Sequence, residues 1–334
     1  MFRNVLRPAA YHGPANGRGP YFEGWYYKLV ASNRTQSIAI IPGVFLGKNA
    51  AESHAFVQTL DGRTGRTSYH RYPLESFRAH ATEFAISIGS NSFRKQEIAL
   101  QLDGPRRITG VVRLADAPGW PVTPLAPGIM GWYAWVPFME CLHGVLAFDA
   151  ALEGMLFVDD APVDFHDGRG YIEKDWGDAF PRAWIWMQSN HFARTGVSLT
   201  ASIAHIPWLG TAFRGFIAGL WIDGNLYRFA TWSGATTERL SVANGEVRWT
   251  LRGPQQTHIA RRPVRLEIIA QRTGDQADLL HAPARTAMVQ RVHESLTATL
   301  AVRLLAHDGS TIFAGEGECA GLELGGNLTD LLHL

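Results

Sequence analysis

Glu173, Lys174 and Asp175 sit in a run, Gly170 to Phe192, that also holds Tyr171, Trp176, Trp184, Trp186, Gln188, Asn190 and His191. In an extended strand alternate side chains share a face, so Tyr171, Glu173 and Asp175 fall on one side and Ile172, Lys174 and Trp176 on the other. Neither side is wholly apolar or wholly polar. Folding alone favours one dry face and one wet one, so the mixed pattern marks this run as a place for chemistry. Two carboxyls on one face repel each other when both are charged, and burial among aromatic rings penalises the charge further. Such surroundings can keep a carboxyl neutral, and Asp175 and then Glu173 are the groups they would act on; the alternative is that either one forms a structural ion pair with Lys174 or Arg182. Glu23 and Glu140 are also embedded in aromatic sequence, where a bare charge is costly.

The elements that must position these groups read as β-hairpins. Asp61-Gly62, Asp223-Gly224, Asn244-Gly245 and Asp308-Gly309 lie between strand-like runs and tolerate the positive φ of tight turns. Ala85 to Ser90, Arg265 to Ile269 and Leu296 to Leu305 suit strands, and no capped 3.6-residue pattern is long. The fold expected is mostly antiparallel β. Trp25-Tyr26-Tyr27-Lys28, Ile41-Pro42 and Phe56 to Gly62 find echoes in Trp184-Ile185-Trp186-Met187, Ile206-Pro207 and Phe216 to Gly224. The offset points to a duplicated unit, divided as residues 1-160 and 161-334.

Composition narrows the function. At 334 residues with a net charge of +1, the chain lacks the basic surface a nucleic acid requires. Its 11 Trp, 17 Phe and 9 Tyr against 18% charged residues suit an apolar ligand instead. Cys141 and Cys319 are too few for a disulfide framework and have no zinc-site spacing, which favours a reducing compartment. With no signal peptide or run long enough to span a bilayer, the expectation is a cytoplasmic protein with peripheral membrane contact for substrate uptake. The sequence has no HExxH, GxSxG or GKS/T motif. Gly315 to Ala320 matches a dinucleotide fingerprint, but the residues after it cannot open a helix.

Tyr21 to Tyr27, Ile41-Pro-Gly43, His54 to Gln58, Gly131 to Glu140, His143-Gly144 and Gly170 to Phe192 together resemble the tocopherol cyclase family. More distantly, Asp175-Trp176-Gly177 and the two-copy layout are similar to the carotenoid hydratase-like proteins. The resemblance implies two tandem lipocalin-like antiparallel β-barrel domains. It also implies cofactor-independent closure of a prenylated hydroquinone to a chromanol, with an apolar prenyl quinol as substrate and no metal. That reaction requires a proton for a trisubstituted alkene, electron-rich rings around the cation, and a dry cavity. Asp175, Glu173 and Glu23 are then the acids, with His54 and His143 to orient them or accept the phenolic proton. Trp25, Trp132, Trp135, Trp184 and Trp186 would line the cavity. Glu140, Gln188, Asn190 and His191 would bind the substrate's polar end. Two other readings stay open: a non-catalytic carrier of an isoprenoid, and an alkene hydratase that admits water to the cation.

Overall fold

The computed structural model describes residues 4–14, 17, 19–254, 262–273 and 277–334. The first of two compact units runs up to Phe180 and takes in Asp278–Arg291; the second holds Pro181–Ala277 and Val292–Leu334. The change of unit therefore falls after Phe180, not at residue 160. The strand Arg169–Gly177 causes the difference, because it is hydrogen-bonded on both sides within the first sheet.

The first unit contains β1 (Tyr21–Val30), β2 (Ser37–Leu46), β3 (His54–Asp61), β4 (Thr67–Tyr72), β5 (Phe77–Ala79), β6 (Ala85–Ile88), β7 (Asn91–Arg94), β8 (Glu97–Leu102), β9 (Ile108–Leu114), β10 (Cys141–Val158), β11 (Ala161–Asp164) and β12 (Arg169–Gly177). They form one antiparallel sheet in the order β4-β3-β2-β1-β12-β10-β9-β8-β7-β6-β5, with β11 on β10. The second unit contains β13 (Ala183–Ser189), β14 (His191–Phe192), β15 (Val197–Trp208), β16 (Thr211–Ile222), β17 (Asn225–Ala230), β18 (Thr236–Ala243), β19 (Glu246–Pro254) and β20 (Pro263–Gln271). After the short hairpin of β21 (Leu280–Pro283) and β22 (Met288–Val292), it ends with β23 (Glu294–Leu305) and β24 (Thr311–Gly326). Its order is β17-β16-β15-β13-β24-β23-β20-β19-β18, with β14 on β24.

The two orders correspond: a four-strand meander pairs with the last long strand of its unit, and the remaining strands follow in reverse. This is the pairing of β1, β2 and β3 with β13, β15 and β16 that the sequence echo suggests. The fold is the expected mostly-β, lipocalin-like one, but among the described residues neither sheet closes into a hydrogen-bonded barrel. β4 and β5 end the first path. Pro73, which has no N–H to give, and the 3-10 turn Leu74–Ser76 separate them.

The four turn signals each join consecutive antiparallel strands. At Asp223-Gly224 and Asn244-Gly245 both central residues have positive φ, as the tightest hairpins require. Gly315 to Ala320 lies within β24, so its glycines serve a strand and not a phosphate loop. Each unit has its own core. Trp25, Tyr27, Leu29, Ile40, Phe93 and Ile172 belong to the first, and Ile185, Met187, Leu199, Phe229 and Trp249 to the second. Among the described residues no helix is long and apolar enough to cross a membrane.

Candidate active site

β12 has the two faces its alternation predicts. Ile172 lies in the core, which leaves Tyr171, Glu173 and Asp175 on the opposite side of the sheet. The hydroxyl of Tyr171 donates to Glu173 Oε2 at 2.6 Å. Across the ladder, β10 sets His143 opposite Asp175 and Val145 opposite Glu173. His143 Nδ1 is 2.8 Å from Asp175 Oδ1, and its Nε2 is 3.5 Å from Glu173 Oε2. The imidazole therefore stands between the two carboxyls. Glu173 is buried, whereas the Asp175 side chain is 25% exposed, so the cluster has a dry end and an open end. An imidazole so placed can pass a proton to, or take one from, either carboxyl. Ligand atoms of His143, Glu173 and Asp175 lie within 4.8 Å of one another, a spacing that also suits a divalent cation. Lys174 and Arg182, the cations weighed as structural partners of these carboxyls, are paired with Glu23 and Asp330.

The other face of β12 carries a buried polar network. Lys174 Nζ is 2.5 Å from Glu23 Oε1, donates to the carbonyls of Pro8 and Ala10 at 3.0 and 2.5 Å, and lies 2.8 Å from His12 Nδ1. The ammonium also sits 4.8 Å from the Trp25 ring centroid and 4.7 Å from that of Trp176, within cation–π range. Glu23 in turn accepts from the backbone of His12 and Gly13 and from the Tyr21 hydroxyl. Burial alone would raise the Glu23 pKa, but the Lys174 charge and the His12 ring outweigh it and bring it down to about 2. Burial pulls the Lys174 ammonium down to about 8 against the attraction of Glu23. Glu23 is thus held ionised and does not suit the donor role expected from its sequence context. Trp25 is a core residue stacked on Phe84, on the face away from Glu173 and Asp175, and not a wall beside them.

His54 uses both ring nitrogens, Nδ1 with the Glu52 carbonyl and Nε2 with the Tyr69 hydroxyl, each at 2.6 Å. It packs among Phe45, Phe56 and Tyr69, so its ring is held by hydrogen bonds and aromatic contacts away from the acids of β12. Glu140 is paired at 2.9 Å with Arg285, at the tip of the β21–β22 hairpin. Trp132 and Trp135 lie on a 3-10 segment, Gly128–Trp135, and not on the strands that carry the acids. Trp132 is 45% exposed and packs on Tyr133, while the Trp135 indole donates to the Pro124 carbonyl.

The remaining candidates belong to the second unit. Ala183, Ile185 and Met187 enter its core, which turns Trp184, Trp186 and Gln188 to the opposite face. The indoles of Trp184 and Trp186 lie over Gly325 and Gly321 of β24, where a Cβ would meet the rings. Trp184 Nε1 donates to Glu323 Oε2 at 2.8 Å. Asn190 and His191 follow β13 and are bonded to each other, His191 Nδ1 to Asn190 Oδ1 at 2.9 Å. The echo of Trp25 in Trp184 is out of step by one residue: Trp25 faces its core and Trp184 faces away from its own.

Sequence reasoning missed the Glu23–Lys174 pair, His12 and the Tyr171 hydroxyl as partners. Alternation alone placed Tyr171 beside Glu173, but nothing local links residue 12 to residue 174.

A family model described as tocopherol cyclase-like matches residues 111–326. The chain is 29% identical over 206 residues to the chloroplastic tocopherol cyclase of Zea mays, covering 59% of this chain and 41% of that one. It thus spans less than half the length of that relative. Among solved structures, an AttH-type protein of Nitrosomonas europaea is 14% identical with a TM-score of 0.53, covering 94% of each chain. Kievitone hydratase of Nectria haematococca is 15% identical with a TM-score of 0.50, covering 97% of this chain and 95% of its own. These two likenesses concern the fold.

Proposed function

The chain belongs to the tocopherol cyclase-like family, and on that premise we propose that it closes a prenylated hydroquinone to a chromanol by protonating the tail's alkene. The observation that carries this reading is His143 held between Glu173 and Asp175, with Asp175 at the partly open end.

Asp175 is the proton donor. Its Oδ1 is engaged by His143, which leaves Oδ2 for the substrate. An apolar substrate laid over the opening closes the site to bulk water, so that the proton passes to the alkene and not to solvent. The proton of Asp175 forms the new C–H bond, and the resulting tertiary cation is captured by the phenolic oxygen. The phenolic proton then returns to the carboxylate. No atom is gained or lost, and no electron leaves the substrate, so the cycle needs no redox partner. Glu173, fixed by Tyr171, keeps the His143 ring set against Asp175.

A carrier has no need to hold an imidazole between two shielded carboxyls, which sets that alternative behind the cyclase. The hydratase reading differs in one point, since water would reach the cation before the phenol.

The test is to incubate the purified protein with a methylated phytyl benzoquinol under reducing conditions and follow the product by chromatography and mass spectrometry. A chromanol of unchanged mass is expected. A product heavier by one water would assign a hydratase, and unaltered quinol retained on the protein would assign a carrier.

A further inference from the structure

Nine of the ten residues of β1 are buried, and the exception is Gly24. In the ladder it stands directly opposite Asp175 on one side and Gly43 on the other. Directly opposed residues have Cα atoms roughly 4.5 to 5.5 Å apart, so the opening at Gly24 adjoins the open end of the acid cluster. Gly24 has the parity of Phe22 and Tyr26, not that of the core residues Trp25 and Tyr27, and therefore faces the side of Glu173 and Asp175.

Neither usual reason for a strand glycine applies here. Its φ is not among the positive values that favour glycine. A Cβ at this position would meet only the Pro42 carbonyl oxygen at 3.7 Å and Ile41 Cγ2 at 3.9 Å, ordinary contacts. Gly43 differs, because there a Cβ would come within 2.5 Å of the Phe56 ring and 2.8 Å of the Glu23 carbonyl oxygen. Gly43 is required by packing, while at Gly24 the described residues leave room for a side chain beside Asp175. Phe22, Phe45 and Phe56 make an apolar cluster on the same face, with Ile41 and Met288 packed against it.

We propose that Gly24 is a specificity-determining position: the bare backbone on which the reacting, methyl-branched alkene rests beside Asp175, with the tail running toward Phe22 and Ile41. This rests on the cyclase reading and adds where the substrate lies. A larger side chain would fill the alkene's place and leave the sheet intact.

The experiment compares the parent, Gly24→Ala, Gly24→Val and Gly43→Ala. Turnover is measured with the phytyl quinol, and binding with its saturated-tail analogue, which cannot be protonated at the alkene. Gly24→Val is expected to raise KM and weaken analogue binding about tenfold or more, and Gly24→Ala by a smaller factor. Both should melt close to the parent, whereas Gly43→Ala should melt lower. Unchanged KM and binding in both Gly24 variants would overturn the proposal. If Gly24→Val melts early, Gly24→Ala decides the matter by the same two readouts. A parent that binds the analogue without turnover would refute the cyclase reading and still leave the Gly24 comparison decided by binding.

Discussion

Lys174 Nζ and Glu23 Oε1 lie 2.5 Å apart with both side chains fully shielded from solvent. The pair joins β12 to β1, and the chain between Pro8 and Gly13 completes its hydrogen bonds. The residues flanking Lys174 are the two carboxyls of the candidate site. One strand thus anchors itself in the core through one face and presents acids on the other.

Removing one member of this pair should be costly, because the survivor is a buried charge without its partner. Lys174→Met or Glu23→Gln is expected to lower stability by about 3 to 5 kcal/mol, and the double replacement by less than the two losses added. Urea unfolding of the three variants checks this. Additive losses would show that the two groups do not act as a unit.

Acid should expose the same pair. The Glu23 pKa is about 2 in the folded chain against an ordinary 4.5, so the unfolded chain binds the extra proton between those values. Its contribution is complete above about pH 4.5 and is lost as pH falls toward 2. The parent's urea midpoint should therefore drop more steeply over that range than that of Glu23→Gln. Parallel slopes would contradict the ionised state of Glu23.

The sequence made legible what depends on local pattern. The dipeptide turns follow from positive φ, the two faces of β12 from a period of two, and the two-copy layout from the echo between strand runs. What it could not show was closure and partnership. Whether β4 meets β5 depends on curvature accumulated over a whole sheet, and Glu23 finds Lys174 through strands far apart in the chain. Glu23 looked like an acid because its neighbours are aromatic, yet aromatic neighbours suit a buried ion pair equally well. Trp25 misled for the same reason as its echo in Trp184: a slip of one residue exchanges the faces of a strand.

In the second unit Gly321 and Gly325 are required by the indoles above them. Gly325→Ala would place a Cβ in the Trp184 ring, and Gly321→Ala would bring one within 2.5 Å of Trp186. Each is expected to shift tryptophan fluorescence and to cost about 1 to 3 kcal/mol. Pairing Gly325→Ala with Trp184→Ala should restore most of the loss. A spectrum and melting curve identical to the parent's would show that the rings are not held there.

Asp175→Asn keeps the shape of the side chain and removes its acid. If Asp175 protonates the alkene, ring closure should fall by about 10²- to 10⁴-fold while binding of the saturated-tail quinol stays near that of the parent. Glu173→Gln should retain more activity, since Glu173 acts through His143. Equal turnover by Asp175→Asn and the parent would leave Asp175 with a structural role, and a larger loss in Glu173→Gln would move the donor to the buried end of the cluster.

The spacing of His143, Glu173 and Asp175 suits a cation as well as a proton, and the two uses make opposite demands on His143. As a metal ligand the ring must give a nitrogen lone pair to the ion, whereas in proton transfer its Nδ1 stays hydrogen-bonded to Asp175. Prolonged dialysis against a chelator should therefore leave chromanol formation unchanged, and added Mg²⁺, Mn²⁺ or Zn²⁺ should not raise it. Zinc in excess is expected to inhibit by taking the proton's place between the carboxyls, and Asp175→Asn should weaken that inhibition. Activity lost to the chelator and restored by one of these ions would instead make the trio a metal site, with the acid then a metal-bound water.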